Sequence, residues 1–294
     1  MPPAVSGAKS KVIFVNRFFY PDLSATSQML SDLAFGLAGQ QVEIVVVTSR
    51  QFYEKPGTRL ATTETIRGVR VERVWSSDFG RQSTLGRLMD YLTFHLFAPL
   101  KTFAVARRGD VVVAKTDPPL ICVPLSLVTR LRGALLVNWL QDLFPEVLEV
   151  VMRRAESPRW LKVLRGLRNR ALREARANVV LGRIMAHRVS SQGARSDRIH
   201  IIENWSDGDR VRPVDKTNNT LRREWLLQDK FVVGYSGNLG VAHEFQTIMG
   251  AAEALGTRKD IAFLFVGAGN QLASVQQAAK ERNLSNVHFQ PYQR

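Results

Sequence analysis

Apolar β-type runs and helical periodicities take turns along this chain, and that alternation leaves few folds open besides a parallel sheet wrapped by helices. Lys11-Val-Ile-Phe-Val15 is apolar without in–out alternation, as a strand buried on both faces must be. Further β-type runs follow at Val42–Thr48, Val69–Val74, Asp110–Ala114, Ala134–Leu140, Asn178–Leu181 and Ile199–Ile202. Between them, helical spacing predicts helices over Ser27–Ala38, Leu85–Arg107 and Leu120–Leu131, with Pro99 expected to kink or end part of the second. The first strand, helix and second strand form a βαβ unit with a long loop, Asn16–Thr26, at the carboxyl end of its first strand. That end is the usual ligand side of a parallel sheet.

Composition changes at residues 205–230, which are polar and include Pro213 and Lys216-Thr-Asn-Asn-Thr220. A domain boundary is expected near 207, giving domains 1–207 and 208–294. A second βαβ series opens at Phe231. Its further elements are a strand at Ile261–Val266, a helix at Leu272–Arg282 and a strand at Asn286–Phe289. The run Phe231–Val233 gives way to glycines at 234, 237 and 240, and Val-Ala-His-Glu-Phe-Gln-Thr-Ile-Met reads as a helix after them. Strand, glycine loop and helix together bring backbone N–H groups and a positive helix end up to a phosphate. A tight βα turn with no ligand fits the same residues.

The balance of 41 Lys and Arg against 26 Asp and Glu gives a net charge of +15, which suits a polyanionic partner or an anionic membrane surface. A basic proteome would produce the same excess. Between 150 and 190, Arg153, Arg154, Arg159, Lys162, Arg165 and Arg168 lead a strongly basic stretch, opposed there by Glu156 and Glu174. Trp160, Leu164, Leu167, Ala171 and Ala175 recur at helical spacing, so the stretch reads as a basic amphipathic helix for a membrane surface. A core-packed helix with a solvated basic back is the competing reading. The single cysteine, Cys122, lies in an apolar run and reads as a buried small hydrophobe. Residues 1–10 read as a disordered leader without a signal-peptide core, and no run reaches the ~18 apolar residues of a spanning helix. A soluble or membrane-surface protein is expected. Nucleic-acid binding rests on charge alone, without a stacking-aromatic ladder or zinc spacing. A dinucleotide oxidoreductase would carry Gly-x-Gly-x-x-Gly after the first strand, which is not there.

Taken together, Val-Asn-Arg-Phe-Phe-Tyr-Pro-Asp with Ser-Ala-Thr-Ser-Gln, the strand-ending Gln-Asp-x-x-Pro-Glu, Tyr-Ser-Gly-Asn-Leu-Gly and Phe-Val-Gly-Ala-Gly resemble the retaining glycosyltransferases of family four. The likeness is strongest to bacterial enzymes of exopolysaccharide and O-antigen assembly, and it spans residues 11–294. It implies an α/β GT-B fold of two Rossmann-like domains, the second incomplete here. It also implies a nucleotide-diphosphate sugar as donor, a lipid-linked saccharide as acceptor, no metal or other cofactor, and a cytoplasmic place on the inner face of the membrane. By the same resemblance, Gly237, Asn238, Leu239, Gly240, His243, Gly267 and Gly269 would meet the donor. Ser24, Ala25 and Thr26 would lie on the acceptor side, and Glu203 and Asn204 would line the hinge. Asp142 would be the catalytic residue, in contact with the acceptor or donor sugar; a plain acid at a strand end, capping the next helix, is the competing reading. The sequence departs from the family pattern at three places. Asn238 stands at the position of an Arg, His243-Glu244 near that of a Lys, and Gln141 where many relatives carry His. The family's two glutamates, separated by seven intervening residues, would follow the part of the second domain present here. The only such spacing is Glu64 and Glu72, in the wrong half. The chain is therefore expected to be a truncated transferase, inactive by itself. A non-catalytic remnant or nucleotide-binding module is the alternative.

Overall fold

The computed structural model describes residues 11–40, 42–52, 57–79, 84–152, 158–209, 211–240 and 243–293. The expected leader, residues 1–10, lies outside them, as do Arg153, Arg154, Glu156, Val241 and Ala242. The chain divides into two compact units between Trp205 and Ser206, where composition placed a boundary near 207.

The N-terminal unit is built on an eight-stranded sheet: β1 (Lys11–Val15), β2 (Glu43–Ser49), β3 (Thr63–Ile66), β4 (Val69–Val74), β5 (Val111–Lys115), β6 (Leu135–Trp139), β7 (Ala177–Val180) and β8 (Ile199–Ile201). Their order across the sheet is β3-β4-β2-β1-β5-β6-β7-β8, parallel throughout except for β3. From β1 the chain first works outward through β2 and β4, then crosses back to β5 and works outward the other way. The reversal leaves a switch point between β1 and β5, paired at Val15 with Ala114. Crevices for ligands form at the carboxyl edge of such a point.

Helices cover both faces, so the central strands are apolar on both sides. On one face α1 (Ala25–Ala38) sets Leu30 and Ala34 against Phe14, Val46, Val113 and Trp139. On the other, α2 (Thr84–Val105), α3 (Cys122–Arg132) and α5 (Arg159–Glu174) bury Phe94, Ala98, Leu125 and Ala171 against Ile13, Val45 and Val112. Each such fully buried aliphatic or aromatic side chain contributes roughly 1.5–3 kcal/mol. Cys122 sits in this layer, and burial pushes its thiol up to about 11. α4 (Glu146–Met152) and α6 (Arg183–Ser191) complete the unit.

Three expectations change. α2 does not end at Pro99 but continues to Val105, with Phe94, Ala98 and Thr102 on either side of the proline all buried. The antiparallel strand β3 is an addition: it is polar, and Ile66 pairs with Val69 across a two-residue Arg67-Gly68 turn. Both turn residues have positive φ (47° and 81°), as a type I′ hairpin requires, but Arg at the first place gives no sequence signal for it. On this hairpin Glu64 pairs with Arg73, and Glu72 with Arg70 and Lys101. The one glutamate pair of family spacing is thus a set of structural ion pairs. Third, the helix expected over Trp160–Ala175 is α5, but the basic stretch runs on beyond it. It is divided among α5, β7 and α6, and Glu146 and Glu149 of α4 neutralise Arg165 and Arg168.

The C-terminal unit holds a three-stranded parallel sheet ordered β11-β10-β9, from β9 (Phe231–Ser236), β10 (Ile261–Val266) and β11 (Val287–Gln290). α7 (Thr220–Glu224) precedes it, and α8 (Gln246–Ala254) and α9 (Leu272–Glu281) connect its strands. Leu239, Phe245, Met249, Phe265, Val275 and Ala279 form its core, with Phe245, Phe265 and Phe289 in ring contact at 5.4–6.0 Å.

Candidate functional site

In the C-terminal unit the loops after β9 and β10 lie back to back. Gly237 N–H donates to Val266 O (2.9 Å) and Leu239 N–H to Ala268 O (2.8 Å). A Cβ on Gly267 would stand 2.0 Å from Gly237 O, and one on Gly269 would stand 2.5 Å from Leu239 O. These glycines, at φ +147° and +145°, are therefore explained by backbone lying directly on backbone. Gly237, at φ +150°, has open space where a Cβ would be.

The phosphate-cradle expectation needs correcting in its details. α8 does not follow Gly240 directly; it begins at Gln246. Its first N–H groups are taken by the Glu244 carboxylate, from Gln246 (2.5 Å) and Thr247 (3.2 Å). The hydroxyl and backbone of Thr247 hold the Glu244 carboxyl below its ordinary range. An internal anion thus already occupies the helix end. The N–H groups of Gly237, Leu239 and Gly240 are likewise engaged within the loops. Asn238 and His243 are exposed and remain as side-chain contributors. Tyr235 Oη donates to Asn238 O (3.0 Å) and lies 2.9 Å from His243 Nδ1. With that hydroxyl proton spent, Nδ1–H is the donor to Oη.

In the N-terminal unit the switch point holds a polar cluster that the sequence reading passed over. Arg17 is buried just after β1. Its guanidinium meets Asp90 Oδ2 (3.3 Å) and Gln51 Oε1 (2.9 Å) and lies over the rings of Phe18 and Tyr91. Its backbone N–H donates to Asp117 O (2.7 Å), tying the loop after β1 to the loop after β5. His95 of α2 holds the latter loop as well: its ring nitrogens lie 2.8 Å from Tyr91 O and 2.9 Å from Pro119 O.

Lys115 ends β5 with 1% of its surface exposed. Its Nζ stands 3.4 Å from the centre of the Trp139 ring, which in turn stacks on Trp205 at 5.7 Å. Burial pushes the ammonium down to about 7, against the pull of the Asp117 carboxylate and the ring face. Lys115 Nζ, Gln141 Nε2, Asn16 Oδ1 and Ser24 Oγ are buried atoms without a hydrogen-bond partner among the described residues. All four belong to the carboxyl edge of the sheet or the loops leaving it, and native structures leave few such atoms unmatched. A charged residue closing the apolar run Val111–Ala114 was the available signal for Lys115.

The acceptor-side residues are placed differently from expectation. Ser24 is the N-cap of α1, while Ala25 and Thr26 form its first turn rather than a loop. Asp142 lies in the turn after β6, exposed by surface, yet crowded enough that burial raises its carboxyl. Glu203 and Asn204 are exposed and directly precede the boundary between the units. Among the described residues no group of His, Cys, Asp or Glu is placed to hold a metal ion, and no helix is long and apolar enough to cross a membrane.

Lys115 makes a pH prediction. An unfolded lysine keeps its proton up to about 10.5, whereas the folded one loses it near 7. Between those values the unfolded chain binds more protons, so stability rises with pH. The climb due to this residue is up to about 1.4 kcal/mol per pH unit. Lys115→Met is expected to remove it in urea unfolding followed from pH 6 to 9; equal slopes in the two proteins would contradict this.

The chain thus consists of two α/β units with mostly parallel sheets, the first with a buried polar cluster at its switch point. Residues 25–205 match the model of the glycosyl transferase 4-like domain, and the chain belongs to that family. It is 23% identical over 293 residues to WcaI of Escherichia coli K12, described as a putative colanic acid biosynthesis glycosyl transferase. That match covers 96% of this chain and 72% of WcaI. The probable glycosyltransferase WbjE of Pseudomonas aeruginosa is 28% identical over 192 residues, covering 65% of this chain and 47% of its own length. Among solved structures, HepE of Anabaena, in complex with UDP and glucose, superposes with a TM-score of 0.66 at 18% identity. The superposition covers 97% of this chain and 70% of HepE. WaaG, a glycosyltransferase involved in lipopolysaccharide biosynthesis, gives 0.62 at 14% identity, covering 96% and 70%. The fold is GT-B and the chain is a transferase by family.

Proposed function

We propose that the chain belongs to cell-surface polysaccharide synthesis and moves a sugar from a nucleotide-diphosphate sugar to a lipid-linked saccharide at an anionic membrane surface. The family membership of residues 25–205, followed by a second Rossmann-like unit, carries this reading. The names of WcaI and WaaG, and the UDP and glucose in the HepE structure, support it. On the donor side, Asn238 and His243 would meet the diphosphate from the edge of the loop formed by Gly237, Leu239 and Gly240, backed by Gly267 and Gly269. Stabilising the leaving diphosphate as charge develops is the main electrostatic task of such a transfer. His243 would serve as a donor only with a proton on Nε2. On the acceptor side, Ser24, Ala25, Thr26 and Asp142 frame the crevice. There Lys115, Gln141 and Asn16 offer a hydroxyl-rich sugar the partners they lack, beside the Trp139–Trp205 stack. No metal is invoked.

A nucleotide-binding module that does not transfer is the second reading. It draws support from Asn238 and His243 standing where the resemblance puts Arg and Lys. Calorimetric titration with UDP, GDP and NAD tests both. UDP or GDP is expected to bind and NAD is not, with Asn238→Ala and His243→Ala each weakening nucleotide binding by about 1 kcal/mol. Binding of NAD alone would refute the sugar-nucleotide reading. Binding of UDP or GDP without sugar release from any nucleotide sugar would favour the module.

A further inference from the structure

α2, α3 and α5 cover the same face of the eight-stranded sheet, with α3 packed against both neighbours. Their inward sides are core; their outward sides are not ordinary protein surface. On α2, Leu85, Leu88, Leu92, Leu96, Leu100 and Phe103 are 41–71% exposed. Steps of three and four residues place them on one stripe, opposite the buried Phe94 and Ala98. The stripe runs the length of a 22-residue helix, about 33 Å. Leu127 and Leu131 continue it on α3, and Trp160, Val163 and Leu167 on α5. Scattered exposed leucines are common, but an apolar patch of this extent marks a surface that meets something.

Charge selects the partner. The three helices hold two carboxylates: Asp90, buried against Arg17, and Glu174, paired with Arg170 at 2.7 Å. Against these stand ten Lys and Arg, of which Arg130, Arg159 and Lys162 are exposed beside the apolar residues. Arg130 also lines a cavity of about 390 Å³ with Arg176, Arg198 and Glu174, whose carboxylate is the one paired with Arg170. Two copies of this chain meeting through this face would set cation against cation with no free carboxylate between them. An anionic bilayer meets both the apolar stripe and the arginines.

We propose that the outer face of α2, α3 and α5 docks on an anionic phospholipid bilayer. The α2 stripe enters the acyl boundary, and Arg130, Arg159 and Lys162 take lipid phosphates, with the Arg130–Arg176–Arg198 cavity as a headgroup slot. This rests on the membrane part of the function proposed above and makes α2, rather than the basic stretch alone, the principal anchor. It also gives Trp160 and Leu167 a role as surface. The buried side of α5 is instead Leu161, Arg168, Ala171 and Leu172.

The test is co-sedimentation of the full chain with phosphatidylcholine vesicles, with and without phosphatidylglycerol. Binding is expected only with phosphatidylglycerol, weakening as salt rises. The double variant Leu92→Glu/Leu96→Glu is expected to lose at least about tenfold in vesicle affinity. Circular dichroism, melting and nucleotide binding should stay unchanged, because both side chains are more than half exposed. Leu92→Ser/Leu96→Ser supplies a milder check should the glutamates disturb folding. Wild-type protein that ignores phosphatidylglycerol vesicles would remove the membrane reading itself. Wild-type binding with an equally bound variant would overturn only the assignment to α2. A wild-type dimer by light scattering that the variant turns into a monomer would assign the face to a second copy and overturn the proposal.

Discussion

Gly267→Ala is expected to unfold the C-terminal unit while leaving the N-terminal one intact. The new methyl would lie 2.0 Å from Gly237 O and 3.0 Å from Gly237 C, inside any tolerable contact. Neither backbone is free to retreat. Gly237 N–H is bonded to Val266 O and Gly267 N–H to Gln290 O, each at 2.9 Å, so movement would cost ladder bonds of all three strands. The φ of +147° adds a strain that an L side chain meets and glycine does not. Overpacking and backbone strain together put the cost at roughly 3–5 kcal/mol, a large part of the stability of a unit this small. Hydrogen exchange should report it as lost protection across β9, β10 and β11, with β1, β5 and β6 unchanged. Gly250→Ala is the control: Gly250 sits inside α8 with nothing near its missing Cβ, and alanine there is expected to be neutral or stabilising by up to about 1 kcal/mol. Equal protection in Gly267→Ala and wild type would refute the backbone-on-backbone account of this loop pair.

Asp90→Ala should cost about as much in the N-terminal unit, for a different reason. Asp90 accepts from Arg17 (3.3 Å), from the Ser77 hydroxyl (2.8 Å) and from Phe79 N–H (3.0 Å), and is 2% exposed. Removing it leaves the Arg17 guanidinium buried with its charge uncompensated. Breaking one side of a buried pair costs about 3–5 kcal/mol, although the intact pair adds little net stability. Asp90→Asn keeps an acceptor for Ser77 and Phe79 and is expected to lose less. Arg17→Met in the Asp90→Ala background should recover part of the loss, because the stranded charge is then gone. Urea unfolding of these three variants and of Arg17→Met alone measures this, and additive losses in the double variant would contradict it. Because Arg17 lies just after β1, Asp90→Ala should also loosen the loop that leads into Ser24.

The candidate sites were legible to different depths. The loops at Gly237–Gly240 and Gly267–Gly269 were visible as glycine spacing after apolar runs. Their engagement with each other was not, because nothing along the chain says that two loops thirty residues apart share one layer. The cap of Glu244 on α8 was hidden for a similar reason: where the helix starts decides whether that carboxylate opposes a phosphate or replaces it. Lys115, Arg17 and Trp139 look unremarkable one at a time and become a site only where β1, β5 and β6 end together.

The sequence by itself determined the strand and helix alternation, hence parallel sheets, two units and the family. These follow from local periodicity and from motifs whose order the chain preserves. Only the tertiary structure decided which charges are spent and which face outward. Glu146 and Glu149 reach back to neutralise Arg165 and Arg168, so a stretch counted as basic carries less free charge than its composition suggests. α2 carries apolar residues on all its sides, so the sequence alone does not say which of them are covered, and one side is open. Burial is set by what packs against a face, and that depends on distant parts of the chain.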